Sequence, residues 1–132
     1  MTKVLVFGVD GQLGNALGKA VWPQDWDVTA LDMPDIDFTK PDGLRDVIRS
    51  TNPALIINAA AYTAVDKAEE EAVLNWTINA VAPAAIAEEA ANIGAAMVHV
   101  STDYVYSGTK DGPWVETDPI GPLGAYGSAK VA

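Results

Sequence analysis

The chain has 132 residues, 49% of them apolar and 20% charged, the balance of one globular domain with a sizeable core rather than of a disordered segment. Eight Lys and Arg against 18 Asp and Glu leave a net charge of -10. That charge repels phosphate backbones and anionic lipid surfaces, so neither nucleic acid nor a membrane is an expected partner, although a local cradle could still hold one small phosphate compound. The absence of cysteine excludes a disulfide scaffold, a thiolate metal site and a cysteine nucleophile. Apolar runs such as Ala54–Ala61 are far short of a bilayer span and no secretory signal opens the chain, so a cytoplasmic protein is expected.

In chain order, Lys3–Phe7 is a β-branched apolar run ending at Gly8, the pattern of a strand buried on both faces. Leu13, Leu17, Ala20 and Val21 then recur at helical spacing until Pro23, which predicts a helix. Asp27–Leu31 reads as a second strand, Asp35–Phe38 as a short third one, and Pro41–Ser50 as a helix with Leu44, Val47 and Ile48 on one side. Ala54–Asn58 is a fourth strand. A long helical stretch from about Asn75 to Ile93 ends at Gly94, with Pro83 forced to kink or restart it. Ala96–Ser101 is a fifth strand, with His99 expected as a packed core side chain. Ser107–Gly127 is rich in Gly and Pro and reads as a surface loop, and a last helix begins near Tyr126.

Strands alternating with helices at this spacing predict an α/β fold: a doubly wound, Rossmann-like parallel sheet over residues 1–132, truncated after the fifth strand and the start of the next helix. Ligands of such sheets bind beyond the carboxyl ends of the strands. Gly8, Gly11 and Gly14 lie between the first strand and the first helix, where a turn without side chains lets backbone N–H groups approach a pyrophosphate. A tight strand-to-helix turn without ligand is the plainer reading of the same glycines, and Asp10 inside the loop is a mild contradiction. Asp32 stands 18 residues beyond Gly14, close to the ~20 expected of the acid that holds an adenosine ribose. Its charge would repel a 2'-phosphate and no Arg follows it, so NADH should be at least as acceptable as NADPH. Asp32 before Met33-Pro34 also fits a simple turn, as does Asp37-Phe38, the candidate boundary of the adenine.

Ala59, Ala60 and Ala61 after the fourth strand are small enough for a flat ring to lie against the backbone, or are simply good packing. The acidic stretch ending at Glu69, Glu70 and Glu71 reads as a solvated helix start and not as a metal site. Thr102 leaves the fifth strand at the cleft edge, and Tyr126 and Lys130 share one face of the last helix. That spacing lets an ammonium sit beside a phenol, which can then give a proton to a carbonyl oxygen as hydride arrives, with the Thr102 hydroxyl orienting both. An exposed helical pair is the bland alternative.

Five segments together are familiar: Gly8-x-x-Gly11-Gln12-Leu13-Gly14, Asn58 to Glu69, Ser101-Thr102-Asp103-Tyr104-Val105-Tyr106-x-Gly108, Glu116-Thr117-Asp118 and Tyr126-Gly127-x-x-Lys130. They resemble the extended short-chain dehydrogenase/reductase family and, within it, the dTDP-4-dehydrorhamnose reductase branch. The resemblance implies that Thr102, Tyr126 and Lys130 form a catalytic trio reducing the C4 keto group of a dTDP-activated 4-keto sugar, dTDP-4-dehydro-6-deoxy-L-mannose, to dTDP-L-rhamnose with NAD(H) or NADP(H). It implies that Gly8, Gly11, Gln12 and Leu13 cradle the pyrophosphate, that Asp32, Asp37 and Phe38 hold the adenosine, that Ala59, Ala60 and Ala61 lie on the nicotinamide side, and that Lys130 also holds the nicotinamide ribose. Some relatives carry a metal-binding Glu two residues after the third glycine; here that position is Ala16, so no metal is expected. Family members continue for about as many residues again, so the chain is expected to be the cofactor-binding half without its substrate domain, with an open strand edge inviting a second copy. A non-catalytic dinucleotide-binding regulatory subunit and a sugar-nucleotide epimerase are the alternatives.

Overall fold

In the computed structural model, which describes residues 1–132, the strand ladder is built around β1 (Thr2–Phe7). Val4, Leu5, Val6 and Phe7 are all buried, because successive side chains point to opposite faces and both faces are covered. Four parallel strands form the sheet in the order β2-β1-β3-β4, with β2 at Trp26–Leu31, β3 at Leu55–Asn58 and β4 at Ala96–His99. Phe7 pairs with both Leu31 and Asn58, and Asn58 with His99, so the carboxyl ends of all four strands stop at one level.

One face carries the main core. Leu5, Phe7 and Ile56 project onto Leu44 and Ile48 of α2 (Pro41–Thr51) and Ala82, Ile86 and Ala90 of α4 (Ala82–Ile93). Across this layer Arg49 makes paired hydrogen bonds, both 2.8 Å, to the Glu89 carboxylate, which is nearly sealed from water. The opposite face packs Val4, Val6 and Ile57 against Leu17 of α1 (Gln12–Gly18) and the stacked Trp22–Trp26 pair.

Three expectations need correction. The Asp35–Phe38 alternation is real in burial, since Ile36 and Phe38 enter the main core, but it forms no strand. Local bonds win there: the Ile36 N–H donates to the Asp32 carbonyl, and the Asp37 carboxylate takes both the N–H and the hydroxyl of Thr39. The sheet therefore has four strands, not five. The first helix ends at Gly18 rather than running to Val21, which is fully exposed. The Trp22 indole N–H donates to the Leu17 carbonyl at 3.1 Å and so takes one of the groups on which another turn would be built. His99 lies on the exposed edge strand rather than in the core, its Nδ1 3.2 Å from the Asn58 side-chain amide.

Pro83 acts as expected on the long helix, by a restart. Helix α3 (Ala72–Trp76) passes into a π-helical turn at Thr77–Val81 before α4 begins with the proline in its first turn. A proline offers no N–H to the carbonyl four residues back, and the wider turn accommodates that loss. A 3₁₀ turn at Lys67–Glu69 precedes α3, another at Asp103–Val105 follows β4, and α5 spans Ala125–Val131. No helix is long and apolar enough to cross a membrane.

Candidate functional site

Strand order reverses between β2-β1 and β3-β4, and a crevice opens there above the strand ends. It holds a cavity of about 740 Å³ walled by the glycine loop, Asp32, Phe38, Ala59–Ala61, Ser101, Tyr126 and Lys130.

The floor is built by close backbone approach. Gly8 has φ +85°, and a Cβ there would lie 2.6 Å from the Ala60 Cα. A Cβ on Gly14 would stand 2.5 Å from the Val9 Cα. Both positions bring backbone against backbone so tightly that only glycine fits. Gly11, Gln12 and Leu13 line the open side, and no side chain fills the space above them. Asp32 has a second task that the sequence does not announce: its carboxylate accepts the Asp10 N–H at 2.9 Å and the Met33 N–H at 2.8 Å, so it ties the glycine loop to the end of β2 while facing the cavity. The exposed Asp10 carboxylate caps nothing on α1.

On the far wall, Tyr126 is buried in its ring, which meets Tyr104 edge-on at 5.6 Å between centroids. Its hydroxyl has no hydrogen-bond partner and is not sealed from water, and the residue lines the cavity. Lys130, one turn on, donates from Nζ to the Val100 carbonyl at 2.6 Å, and burial pulls its ammonium below the ordinary lysine value. Partial desolvation first, and the Lys130 charge second, hold His99 below the usual imidazole value. A second cavity, of about 340 Å³, is walled by Val65, Asp103, Tyr104, Tyr106, Leu123 and Tyr126. Tyr126 thus borders both spaces.

Of the residues singled out from the sequence, Gly8, Gly11, Gln12, Leu13, Asp32, Phe38, Ala59, Ala60, Ala61, Tyr126 and Lys130 meet at the larger cavity. Asp37 does not: its carboxylate is spent on Thr39 and on Lys40 at 3.6 Å, contacts that hold it below the usual carboxylate range. Thr102 does not line either cavity, although its chain neighbours Ser101 and Asp103 line the larger and the smaller; its hydroxyl accepts the Tyr104 N–H at 3.2 Å and donates to Asp103 Oδ1 at 3.4 Å. The acidic stretch is more than a solvated helix start. Glu69 accepts the Ala125 N–H at 2.7 Å, and Glu71 takes the Tyr62 hydroxyl and pushes that phenol up to about 12. Asn75 and Asn79 also escape a reading by pattern, although two asparagines four apart on a helix otherwise rich in apolar residues are a visible signal.

Fold and crevice together define an α/β protein of the Rossmann-like class shared by nucleotide-cofactor reductases and epimerases. A family model described as the RmlD substrate binding domain matches residues 1–132, and the chain belongs to that family. It is 45% identical to the dTDP-4-dehydrorhamnose reductase of Escherichia coli K12 over 98% of its own length, and spans 44% of that relative. Among solved structures, a dTDP-4-dehydrorhamnose reductase from Clostridium acetobutylicum superposes with a TM-score of 0.94 at 38% identity, covering 98% of this chain and 46% of that one. The Bacillus anthracis dTDP-4-dehydrorhamnose reductase in complex with NADP gives 0.93 at 34% identity, covering 99% and 47%.

Proposed function

We propose that residues 1–132 are the cofactor-binding half of an NAD(P)H-dependent reductase. Its substrate would be a nucleotide-activated 4-keto sugar, dTDP-4-dehydro-6-deoxy-L-mannose, reduced at C4 to dTDP-L-rhamnose. The observation that carries this reading is Tyr126, its hydroxyl unpartnered, lining both cavities, with Lys130 one turn on and the glycine floor in the larger of the two.

The larger cavity fits a dinucleotide by its chemistry. Gly8 and Gly11 keep side chains away from where a pyrophosphate would lie, Gln12 and Leu13 flank it, and the Ala59–Ala61 backbone leaves room for a flat ring. Each Asp32 oxygen accepts one backbone N–H, leaving a lone pair on each for a ribose hydroxyl, while its charge disfavours a 2'-phosphate. Phe38 offers the adenine an apolar edge. Such a cofactor, when bound, supplies the hydride. Tyr126 gives its phenolic proton to the sugar's carbonyl oxygen, so that the C=O bond becomes C–H and O–H. Lys130, positively charged one turn away, stabilises the phenolate left behind, and the Thr102 hydroxyl, next in the chain to Ser101 of the larger cavity, would orient the carbonyl by exchanging its bond to Asp103 for one to the sugar. The keto sugar would approach from the smaller cavity beside Tyr104. The outer side of β4 is unpaired and suits a further strand or a second copy.

Fluorescence titration with NADH and NADPH tests the reading, with saturable binding expected for both and NADH no weaker than NADPH. Tyr126→Phe should still bind the cofactor but lower oxidation of it by the keto sugar by about 10²- to 10⁴-fold. A protein that binds neither nucleotide, or undiminished turnover by the Tyr126→Phe variant, overturns the assignment.

A further inference from the structure

The phenol's helix has an unusual start. Its N-cap, Gly124, has no side chain to satisfy the first free N–H groups of α5. The acceptor comes instead from far away in sequence: the Ala125 N–H donates to Glu69 Oε1 at 2.7 Å. A Cβ on Gly124 would stand 3.0 Å from that same oxygen, so the glycine makes room for the carboxylate. The other polar group of Ala125 is also held, since Asn75 Nδ2 donates to its carbonyl at 3.0 Å. Both groups of the residue before Tyr126 are therefore gripped by side chains of one neighbouring segment.

That grip continues to the opposite wall. Asn75, buried, accepts from Asn79 Nδ2 at 2.9 Å. Asn79 in turn donates to the Tyr62 carbonyl at 2.8 Å and accepts the Tyr62 N–H at 2.9 Å, immediately after Ala59–Ala61. A chain of amides across the π-helical turn thus joins the cavity wall at residue 62 to the peptide that precedes Tyr126, with every buried polar side-chain atom partnered.

We propose that Glu69 and Asn75 are positioning residues that bracket Ala125 and set where the Tyr126 hydroxyl stands relative to the cavity wall; the proposal rests on the reductase reading and deepens it. Neither residue touches the proposed reactants. Their effect is geometric, and displacement of a reacting group by an ångström costs up to about 10²-fold in rate.

The test compares Glu69→Ala, Glu69→Gln and Asn75→Ala with the unaltered protein in amide hydrogen exchange at Ala125 and Tyr126, NADPH titration and keto-sugar turnover. Glu69 is exposed, so its variants are expected to fold. Glu69→Ala should speed exchange at Ala125 at least about tenfold and lower kcat roughly tenfold to a hundredfold with KM little changed. Glu69→Gln keeps an oxygen able to accept the same N–H and should restore both within about threefold. Asn75→Ala should act like Glu69→Ala on exchange. Unchanged exchange in Glu69→Ala, or a folded Glu69→Gln as impaired as Glu69→Ala, overturns the bracket. Absence of NADPH binding by the unaltered protein overturns the reductase reading instead, and leaves the exchange measurement to decide the bracket.

Discussion

At Gly14 the requirement for glycine is steric and absolute, because an added methyl would meet backbone atoms of Gly8 and Val9 that have nowhere to move. Gly14→Ala should cost about 1–3 kcal/mol, read as a lower urea midpoint, and weaken nucleotide binding through the displaced loop. Gly18→Ala, where a Cβ meets nothing within 4 Å, is the control and should be neutral or slightly stabilising. The glycine spacing is legible in a sequence because conformational freedom and lack of bulk are properties of the residue itself. The double duty of Asp32 is not. Its place after β2 marks it for a ribose, but the bond from the Asp10 N–H exists only once β1 and β2 lie side by side. Thr102 and Asp37 show the same limit, since neighbours two residues away claim their oxygens by local turn geometry.

At the scale of elements, apolar periodicity identifies strands and helices well where burial imposes it. Ile86 on α4 is fully buried between Leu5, Ile56 and α2, and Ile86→Ala should destabilise the protein by about 2–5 kcal/mol in denaturant titration, with the size set by how far α4 can settle into the space. Periodicity fails where burial and hydrogen bonding part company. Ile36 and Phe38 alternate and are buried, yet their backbone bonds close locally and no ladder forms. It also fails at ends: Leu17 continues the helical stripe toward Val21, but the Trp22 indole claims the Leu17 carbonyl. Pro83, by contrast, acts through its own missing donor, which is why a break in the long helix is predictable while its π-helical form is not.

For the whole molecule, charge sets the response to acid. Hydrogen bonds from Arg49 hold the Glu89 carboxyl below its ordinary 4.5, and Lys110 does the same first for Asp118, whose ordinary value is 3.8. A carboxyl depressed in the folded state takes up its proton earlier when unfolded. The stability it contributes is therefore complete above its ordinary value and is lost as pH falls through the folded one. The melting temperature should accordingly be flat near neutrality and fall below about pH 4.5. Glu89→Gln should flatten part of that acid slope while lowering the melting temperature at pH 7, because Arg49 loses its charged partner. A thermal melt series followed by circular dichroism from pH 7 to about pH 3 checks both.

What this sequence determined unaided is the alternation of strand and helix, the crest where a ligand belongs, and most of the residues that wall it, because side-chain period, glycine at a turn and Tyr four before Lys are local facts. Tertiary structure alone decided that the sheet has four strands, that two cavities meet at one phenol, and that Glu69 and Asn75 reach across some fifty residues to hold the helix that carries it. Those outcomes depend on which unsatisfied backbone groups come to lie beside which side chains, and that adjacency arises only when the chain closes on itself.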